Sequence, residues 1–542
     1  MKRYRLINNI TGWATFAIAA VTYLLTIEPT ASLWDCGEFI ASAFKLEVGH
    51  PPGNPVFMVI ARFFTLFAGG NTSDVAAMVN AMSALASAFT ILFLFWTITH
   101  LARKIFIRNE EDFTPARMIA IMSAGLTGAL AYTFSDSFWF SAVEGEVYAS
   151  SSLFTAAVFW AILKWEDVAD EENSNRWLIL IAFLMGLSIG VHLLNLLALP
   201  AIVLVYYFRK FDFSWKGFLI SIVISLVLLA LLLFGIMPGL VTISSRLDLF
   251  FVNSLGLPAN SGMIFHFLLL IVFFVLAVKT TLSSENQVRN TAYASIALLL
   301  SGVWIISGSF FLNLVVFAAI AGYAWYQAGK NRAVLNILLT SVMVILIGYS
   351  SNAIIVIRSA ANPPLNENQP EQPFSLLYFL NREQYGQRPL FRGQYYNAPV
   401  LDYKNGKAKY VLEDDKYKVS AYDLERVYDP RFITLFPRMW SEQADHEQVY
   451  REWGKVKGVP VTVTNSSGEK EIIRKPKFSE NLRFMFSYQV GYMYLRYFMW
   501  NFAGKQNDTQ GTGGAVNGNW ISGIKFLDEP RVGSPDLPAG MK

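Results

Sequence analysis

The chain has 542 residues, of which 54% are hydrophobic and only 15% are charged. This composition, with a mean hydropathy of +0.37, excludes an ordinary soluble protein of this length and predicts an integral membrane protein. The single cysteine, Cys36, excludes an intrachain disulfide framework and a cysteine-rich metal site. The net charge is only +4 and no basic stripe with interleaved aromatic residues is present, so nucleic acid is not expected as a partner.

Apolar runs of the length that crosses a bilayer predict about eleven transmembrane helices. They lie at 8–27, 77–101, 117–134, 147–165, 176–191, 193–208, 216–236, 263–281, 291–307, 310–326 and 333–350. The first run follows basic residues but lacks a small-residue cleavage site, which predicts an uncleaved membrane helix rather than a signal peptide. The shorter run at 55–69 carries Arg62 and is expected to form an interfacial helix in the first outer loop.

The distribution of basic residues predicts the orientation. Alternate connections, counted with the N-terminus, carry sixteen lysines and arginines, and the opposite connections carry three. The positive-inside rule therefore places the N-terminus in the cytoplasm. An odd number of spans then places residues 351–542 on the outer side. This part is richer in charged residues and has strand-like pieces at 407–413 and 459–464, so it is expected to be an α/β soluble domain with a flexible Gly- and Asn-rich end from Gly504 onward.

The predicted outer connections carry side chains that are suited to chemistry. The motif WDCGEF places Asp35 and Glu38 on one face of a short helix, and His50 follows in the sharp turn GHPPG. The further candidates are Glu144, Glu146 and Tyr148 in 135–149, His192 and Asn195 in GVHLLN, and Arg246 with Asp248 in 237–262. Each residue alone is also explained as a solvated charge, a helix-end acid, an interhelical hydrogen-bond partner or a contact to lipid phosphate.

The signal is the convergence of these residues on one membrane face, which predicts a cavity with several acids, a histidine, aromatic walls and an arginine. Carboxylates suit general-base work on a hydroxyl, arginine suits a phosphate, and aromatic faces suit sugar rings. A lipid-linked phosphosugar would meet all of these groups, with its tail in the bilayer and its head in the outer loops.

Four segments carry a resemblance to a known family. They are WDCGEFIASAFKLEVGHPPGNP, FSAVEGEVYASS, GVHLLNLLALPA and RSAANPPLNENQPEQPFSLLYFLNREQYG. With them the chain resembles, from about residue 5 to about residue 525, a family of multipass membrane proteins that was long catalogued in bacteria only as a domain of unknown function. Its eukaryotic relative is a protein O-mannosyltransferase of the GT-C superfamily. The resemblance implies a GT-C-like transmembrane catalytic domain at 1–350 and a periplasmic soluble domain at 351–542, in a bacterial inner (cytoplasmic) membrane.

The resemblance also implies the reaction. A sugar, mannose in the first instance, would pass from a polyprenyl-phosphate donor to serine or threonine of exported acceptor proteins. Asp35 matches the position of the GT-C catalytic acid and is expected to act as the general base of an inverting transfer, with Glu38 as its helper or its substitute. His50, Glu144, Glu146 and His192 match family motifs without assigned roles. Arg246 and Arg358 are the candidates for holding the leaving phosphate, and Tyr148 and Asn195 complete the predicted substrate-binding set.

No cofactor is expected beyond the donor itself, although the same carboxylates could hold a divalent metal ion. Two alternatives stay open. One is a GT-C transferase that modifies a lipid or a cell-wall glycan, and the other is a transporter or flippase without covalent chemistry. The clustering of candidates at one surface and the lack of two related halves disfavour the transporter. Because many relatives continue further, the chain is expected to be a short member of the family or a part of a longer one.

Overall fold

The computed structural model describes residues 2–386, 388–464, 469–509, 511 and 513–533. The chain divides into two units, one of residues 1–384 with 411–418 and one of residues 385–410 with 419–542. Composition alone put the boundary at residue 350. The segment 351–384 nevertheless belongs to the helical unit, because the buried side chains of Ile355, Leu376 and Phe379 cluster with Val241 and Val48 of that unit.

Seventeen α-helices form the described part of the first unit, and their apolar composition follows the predicted runs. They are α1 (Lys2–Leu25), α2 (Cys36–Lys45), α3 (Pro55–Thr65), α4 (Val75–Phe106), α5 (Pro115–Thr133), α6 (Asp136–Ala142), α7 (Val147–Val168), α8 (Asn175–Ile189), α9 (Leu199–Lys210), α10 (Trp215–Ala230), α11 (Met237–Leu255), α12 (Ser261–Ser283), α13 (Gln287–Leu300), α14 (Phe310–Lys330), α15 (Arg332–Tyr349), α16 (Ala353–Ala360) and α17 (Pro373–Leu380).

Within the described ranges, seven helices are long and apolar enough to cross a membrane, or eight if the bent pair α5 and α6 is a single span. This confirms a helical chain of multi-pass character. The predicted runs at 176–191 and 291–307 correspond to α8 and α13, which have 15 and 14 residues and are shorter than the roughly 20 residues that a span requires. The count of eleven therefore stays a prediction.

The short helix predicted at 55–69 is confirmed as α3 with a following 3-10 turn that ends at Ala68. Its interfacial position stays a prediction. The expectation of a loop at 237–262 was wrong, because α10 continues through a π turn at Leu231–Ile236 into α11. Pro238 stands directly after this π turn, at the second residue of α11. Arg246 and Asp248 are therefore helical residues.

Small residues allow close packing between α8 and α15. A Cβ atom added at Gly186 would lie 2.5 Å from the carbonyl oxygen of Ile345, and one added at Gly348 would lie 2.4 Å from the backbone nitrogen of Leu187. Backbones approach this closely in membrane bundles where glycine replaces bulkier side chains. The two glycines thus fix the distance between these helices in the core of the unit.

The second unit contains both strands and helices, as the sequence predicted in coarse form. Its strands are β1 (Arg392–Gln394), β2 (Val400–Glu413), β3 (Lys416–Tyr428), β4 (Ile433–Leu435), β5 (Val459–Thr464) and β6 (Lys470–Lys475), paired as β1–β4, β2–β3 and β5–β6. Its helices are α18 (Ala444–Gly454), α19 (Phe478–Phe484), α20 (Tyr497–Phe502) and α21 (Lys525–Val532). The tip of the β2–β3 hairpin, residues 411–418, belongs to the first unit.

The strand-like pieces at 407–413 and 459–464 lie in β2 and β5, so both strand predictions are confirmed. A buried cluster of Tyr395, Tyr396, Met439, Tyr450 and Phe484 forms the core of this unit. Of the end predicted to be flexible, Lys505 and Trp520 form an isolated antiparallel bridge. Residues 510, 512 and 534–542 of that end lie outside the described residues.

Candidate functional site

The helix that WDCGEF predicted is α2, and Asp35 stands at its N-cap position. The side chain of Asp35 makes no capping hydrogen bond and is exposed. Trp34 before it has a φ of 63° and turns the chain sharply into the helix. Because its carboxylate is not used to hold the helix end, Asp35 is available to a reacting group.

A cavity of about 350 Å³ opens beside Asp35. Its walls come from α2, the turn around His50, the start of α7, the segment 192–197, α10 and the residues after α17. The polar side chains that line it are Asp35, His50, Asn54, Glu146, Tyr148, His192 and Arg382. The structure therefore brings together five of the predicted site residues, which come from three separate connections of the chain. Pockets of this volume are large enough for a small ligand or a sugar headgroup.

Glu38 is joined to His50 rather than exposed to the cavity. One oxygen of Glu38, Oε1, lies 3.0 Å from Nδ1 of the His50 ring and accepts a 2.6 Å hydrogen bond from the His50 backbone N–H. Burial opposes the charge of Glu38, but these hydrogen bonds outweigh it and lower the pKa of the carboxyl. The hydrogen bond to Glu38 raises the pKa of His50 against the effect of burial. The pair thus holds the turn against α2.

Glu144 and Glu146 lie in the break between α6 and α7, and both are buried. The Cys36 thiol donates a hydrogen bond to Glu144, with Sγ 3.6 Å from Oε2. Burial and the two glutamates raise the pKa of Cys36 to about 12. Glu146 is the N-cap of α7, since its Oε2 accepts a 3.1 Å hydrogen bond from Val147.

The environment of Glu146 raises the pKa of its carboxyl group. Burial raises its pKa to about 7, and the neighbouring carboxylates of Asp35 and Glu144 add to the shift, while the hydrogen bond from Val147 opposes it. A carboxyl group that is part protonated near neutral pH, in a cavity beside an ionisable partner, is typical of functional sites.

His192 and Tyr148 form one wall of the cavity, with ring centroids 5.6 Å apart. Nδ1 of His192 accepts a 3.2 Å hydrogen bond from the backbone N–H of Leu194, so the neutral ring carries its proton on Nε2. Burial, with a contribution from the charge of Arg382, lowers the pKa of His192 and favours this neutral form. Asn195 is fully buried next to this wall, and neither its side-chain oxygen nor its nitrogen has a hydrogen-bond partner among the described residues.

The two arginines selected from the sequence lie elsewhere. Arg358 donates from Nε to the carbonyl of Leu46 at 2.6 Å and from Nη2 to that of Lys45 at 3.1 Å, and so closes the C-terminal end of α2. Arg246 lies over the Phe374 ring, 5.8 Å from its centroid. Neither is among the residues that line the 350 Å³ cavity. Their predicted role at the phosphate stays a prediction.

Sequence reasoning missed Arg382, which does line the cavity. It belongs to the fourth of the segments that carried the resemblance, in the run LNREQYG after α17. Its φ of 55° marks a sharp turn at this point. Within the described ranges, no group of three or more His, Cys, Asp or Glu side chains is placed to hold a metal ion, and independence from metal stays a prediction.

The first stretch of the chain that matches a family model begins at Asp35. Residues 35–215 match the model described as the protein O-mannosyl-transferase TMEM260 N-terminal domain. This stretch is similar to protein O-mannosyl-transferases. It includes α2, the His50 turn, both glutamates and the His192 segment, and it ends before Arg382. Residues 386–486 match a family of unknown function, DUF8416.

Curated relatives point the same way. The chain is 26% identical over 335 residues to the protein O-mannosyl-transferase tmem260 of Dictyostelium discoideum. This match covers 58% of this chain and 37% of that protein. The chain is 28% identical over 177 residues to the protein O-mannosyl-transferase TMEM260 of Mus musculus, which covers 32% of this chain and 22% of that protein. The matches thus span well under half the length of either relative. No solved structure matches the chain.

Proposed function

We propose that this chain is a membrane glycosyltransferase that moves a sugar, mannose in the first instance, from a polyprenyl-phosphate donor to a serine or threonine hydroxyl of exported proteins. The observation that carries the proposal is the cavity of about 350 Å³ where Asp35, Glu146 and His192 meet. All three residues lie within the stretch that matches the O-mannosyl-transferase model.

In the proposed mechanism, the Asp35 carboxylate accepts the proton of the acceptor hydroxyl as its oxygen attacks the anomeric carbon. The bond between that carbon and the phosphate oxygen breaks, and the lipid phosphate leaves with the electron pair. Attack from the side opposite the phosphate inverts the anomeric centre. Arg382, on the cavity wall, supplies a positive charge for the leaving phosphate. Glu38 acts as a helper by fixing the His50 turn beside the cavity.

The lipid part of the donor also has a suitable place. An apolar cavity of about 600 Å³ lies among α11, α12, α15, α16 and α17, and its walls include Leu240, Phe274, Leu376 and Leu380. Leu380 precedes Arg382 by two residues. A tail in this cavity and a phosphate at Arg382 would therefore use neighbouring positions of one segment. An isoprenoid chain is apolar and fits walls of this kind.

Orientation and location are part of the proposal. The excess of basic residues in alternate connections supports a cytoplasmic N-terminus. The cavity and the second unit would then face the outer side, the periplasm in a bacterial inner membrane. Acceptor proteins would meet the site there after export.

The test is transfer of radiolabelled mannose from polyprenyl-phosphate mannose to acceptor protein by purified wild type and Asp35→Asn. A general base contributes about 10²–10⁴-fold, so Asp35→Asn should lose at least about 10²-fold in turnover with its fold intact. Asp74→Asn is the matched control, because Asp74 is exposed and lies outside the cavity lining. Near-normal turnover of Asp35→Asn would remove the assignment of the base. Label in a lipid or glycan fraction would show that the acceptor is a lipid or a glycan rather than a protein. Absence of labelled product with every polyprenyl-linked sugar tested would contradict the transferase reaction.

A further inference from the structure

A second polar cavity, of about 380 Å³, lies at another place in the helical unit. Four helices line it, with residues of α1, the C-terminal part of α4, the end of α7 and the start of α8. The basic residues of its lining are Arg5, Arg103, Lys164 and Arg176, and its one carboxylate is Asp167. These four positive charges and one negative charge leave a formal +3, with His100 not counted.

Six of the sixteen basic residues in the same set of connections form ion pairs with carboxylates in the described part of the chain. The ion pairs are Lys104 with Glu166, Arg117 with Asp112, Arg209 and Lys210 with Asp170, and Arg332 with Glu285. In the cavity, Arg103 is paired with Asp167 at 2.6 Å. Arg5, Lys164 and Arg176 differ, because none of them forms an ion pair with a carboxylate among the residues that the structure describes.

The positive-inside rule alone accounts for basic residues at a membrane surface. It does not by itself place three cations that have no carboxylate partner among the described residues around one concavity. Cations that share a pocket repel one another, so this arrangement favours a bound anion. Arginine and lysine together are the side chains that proteins use to bind phosphate groups.

The other walls of the cavity are tryptophans. Trp96, Trp160 and Trp177 line it, and Trp160 lies 5.9 Å from each of the other two by ring centroids. The Lys164 ammonium lies 5.4 Å from the centroid of the Trp160 ring. Tryptophan is enriched where a membrane protein meets the lipid headgroups, because its ring is apolar and its N–H is polar. The indole nitrogen of Trp96 is buried and has no hydrogen-bond partner in the described part of the chain.

We propose that this cavity binds the phosphate of an anionic membrane lipid, with Arg5, Lys164 and Arg176 around the phosphate and the tryptophans beside the glycerol and acyl region. The site is separate from the cavity at Asp35 in its lining residues. It does not depend on the proposed transferase activity. Free inorganic phosphate would use the same cations, and the experiment distinguishes the two sources.

The experiment uses the full chain, purified in detergent, and counts retained lipids by native mass spectrometry after addition of phosphatidylglycerol or phosphatidylcholine. The test variant is Arg5→Gln/Lys164→Gln/Arg176→Gln. The control is Lys216→Gln/Lys279→Gln/Arg289→Gln, which removes three charges from exposed positions outside the cavity. We expect wild type and control to retain one phosphatidylglycerol per chain in preference to phosphatidylcholine, and the test variant to bind it at least tenfold more weakly.

Titration of wild type with inorganic phosphate forms the second arm. Weak competition by phosphate supports the lipid headgroup, whereas tight phosphate binding without lipid preference would overturn it in favour of a free phosphate ion. Equal lipid retention by wild type and test variant, or equal loss in test and control variants, would overturn the site. If the triple variant does not fold, Arg176→Gln alone serves, because Arg176 is exposed at the start of α8.

Discussion

Glu38 and His50 are joined through a single oxygen. Oε1 of Glu38 lies 3.0 Å from the ring Nδ1 of His50 and 2.6 Å from its backbone nitrogen. The pair closes the loop between α2 and α3. It also ties α2 to a residue of the cavity wall, since His50 lines the cavity and Glu38 does not. The helper role predicted for Glu38 is therefore best understood as positioning.

This pair should make stability depend on pH. The raised pKa of His50 gives a contribution that is complete below the unfolded value of about 6.5 and is lost as the pH rises through the folded value. The lowered pKa of Glu38 gives a second contribution to stability. It is complete above the unfolded value of about 4.5 and is lost as the pH falls through the folded value. Relative to His50→Gln, the wild type should gain about 1 kcal/mol near pH 6, and less at pH 8.

The measurement is the thermal unfolding midpoint of both proteins across this pH range. His446→Gln is the control, because the ring of His446 meets the hydroxyl of Ser441 and not a carboxylate. A difference between wild type and His50→Gln that stays constant from pH 6 to pH 8 would contradict an ionised pair.

Gly49 leaves the space that the Glu38 carboxylate occupies. A Cβ atom at position 49 would lie 2.4 Å from Oε1 of Glu38, whereas one at Gly37 meets nothing within 4 Å. Gly49→Ala should therefore displace the carboxylate from His50 and lower stability by about 1–3 kcal/mol. Gly37→Ala, on the exposed side of α2, should be neutral or stabilising, since alanine favours a helix. Equal unfolding midpoints for the two variants would show that the carboxylate moves without cost.

Ionisation of the buried Glu146 carboxyl should destabilise the folded protein. Its pKa of about 7 lies above the unfolded value of about 4.5, so the folded state binds the proton more tightly and loses stability as the pH rises between these values. Glu146→Gln removes the buried charge but keeps an oxygen for the Val147 N–H. It should match wild type near pH 5 and exceed it by on the order of 2–3 kcal/mol above pH 7.

Unfolding midpoints of wild type and Glu146→Gln at several pH values test this expectation. Glu171→Gln, at an exposed position, should leave the slope of the wild type unchanged. If Glu146→Gln shows the same slope as wild type, then Glu146 is ionised at neutral pH and burial does not raise its pKa as expected.

Local patterns predicted α2 and α3 well, because the spacing of Asp35 and Glu38 and the apolar run after Pro55 act within one helix turn or one short segment. The break expected near residue 237 did not occur. Nothing in composition distinguishes a helix that ends there from one that continues through a π turn. Arg382 was missed because composition changes near residue 350, although the chain keeps packing on the helical unit until 384.

Contacts between distant parts of the chain were also beyond sequence reasoning. Asp248 was grouped with Arg246 as an outer-loop charge, but it is fully buried on α11. Its Oδ1 accepts a 2.8 Å hydrogen bond from the backbone of Gly262 and its Oδ2 one of 3.1 Å from Asn260, so it holds the start of α12. No periodicity along 237–262 indicates which side chain will reach across to cap the next helix.

The third donor to Asp248 comes from 169 residues away and leads to a last prediction. The Tyr417 hydroxyl donates to Oδ2 at 2.7 Å. The backbone N–H and carbonyl of Tyr417 both pair with the Asn253 side chain, at 2.8 Å each. Tyr417→Phe removes one donor from a buried carboxylate and should cost about 1–3 kcal/mol. Tyr422→Phe is the control, since Tyr422 is exposed on the same strand β3.

Because Tyr417 and Asp248 share this hydrogen bond, their substitutions should not add. Asp248→Asn weakens all three hydrogen bonds at once, so a further Tyr417→Phe should lower stability less than it does in wild type. Unfolding midpoints of the two single variants and the double variant give the coupling, and cleavage within 400–428 by a protease reports whether the hairpin tip is released. Strictly additive losses would mean that Tyr417 is held by the Asn253 contacts and the Phe374 ring, 5.1 Å away, and that its hydroxyl contributes nothing to the capping of α12.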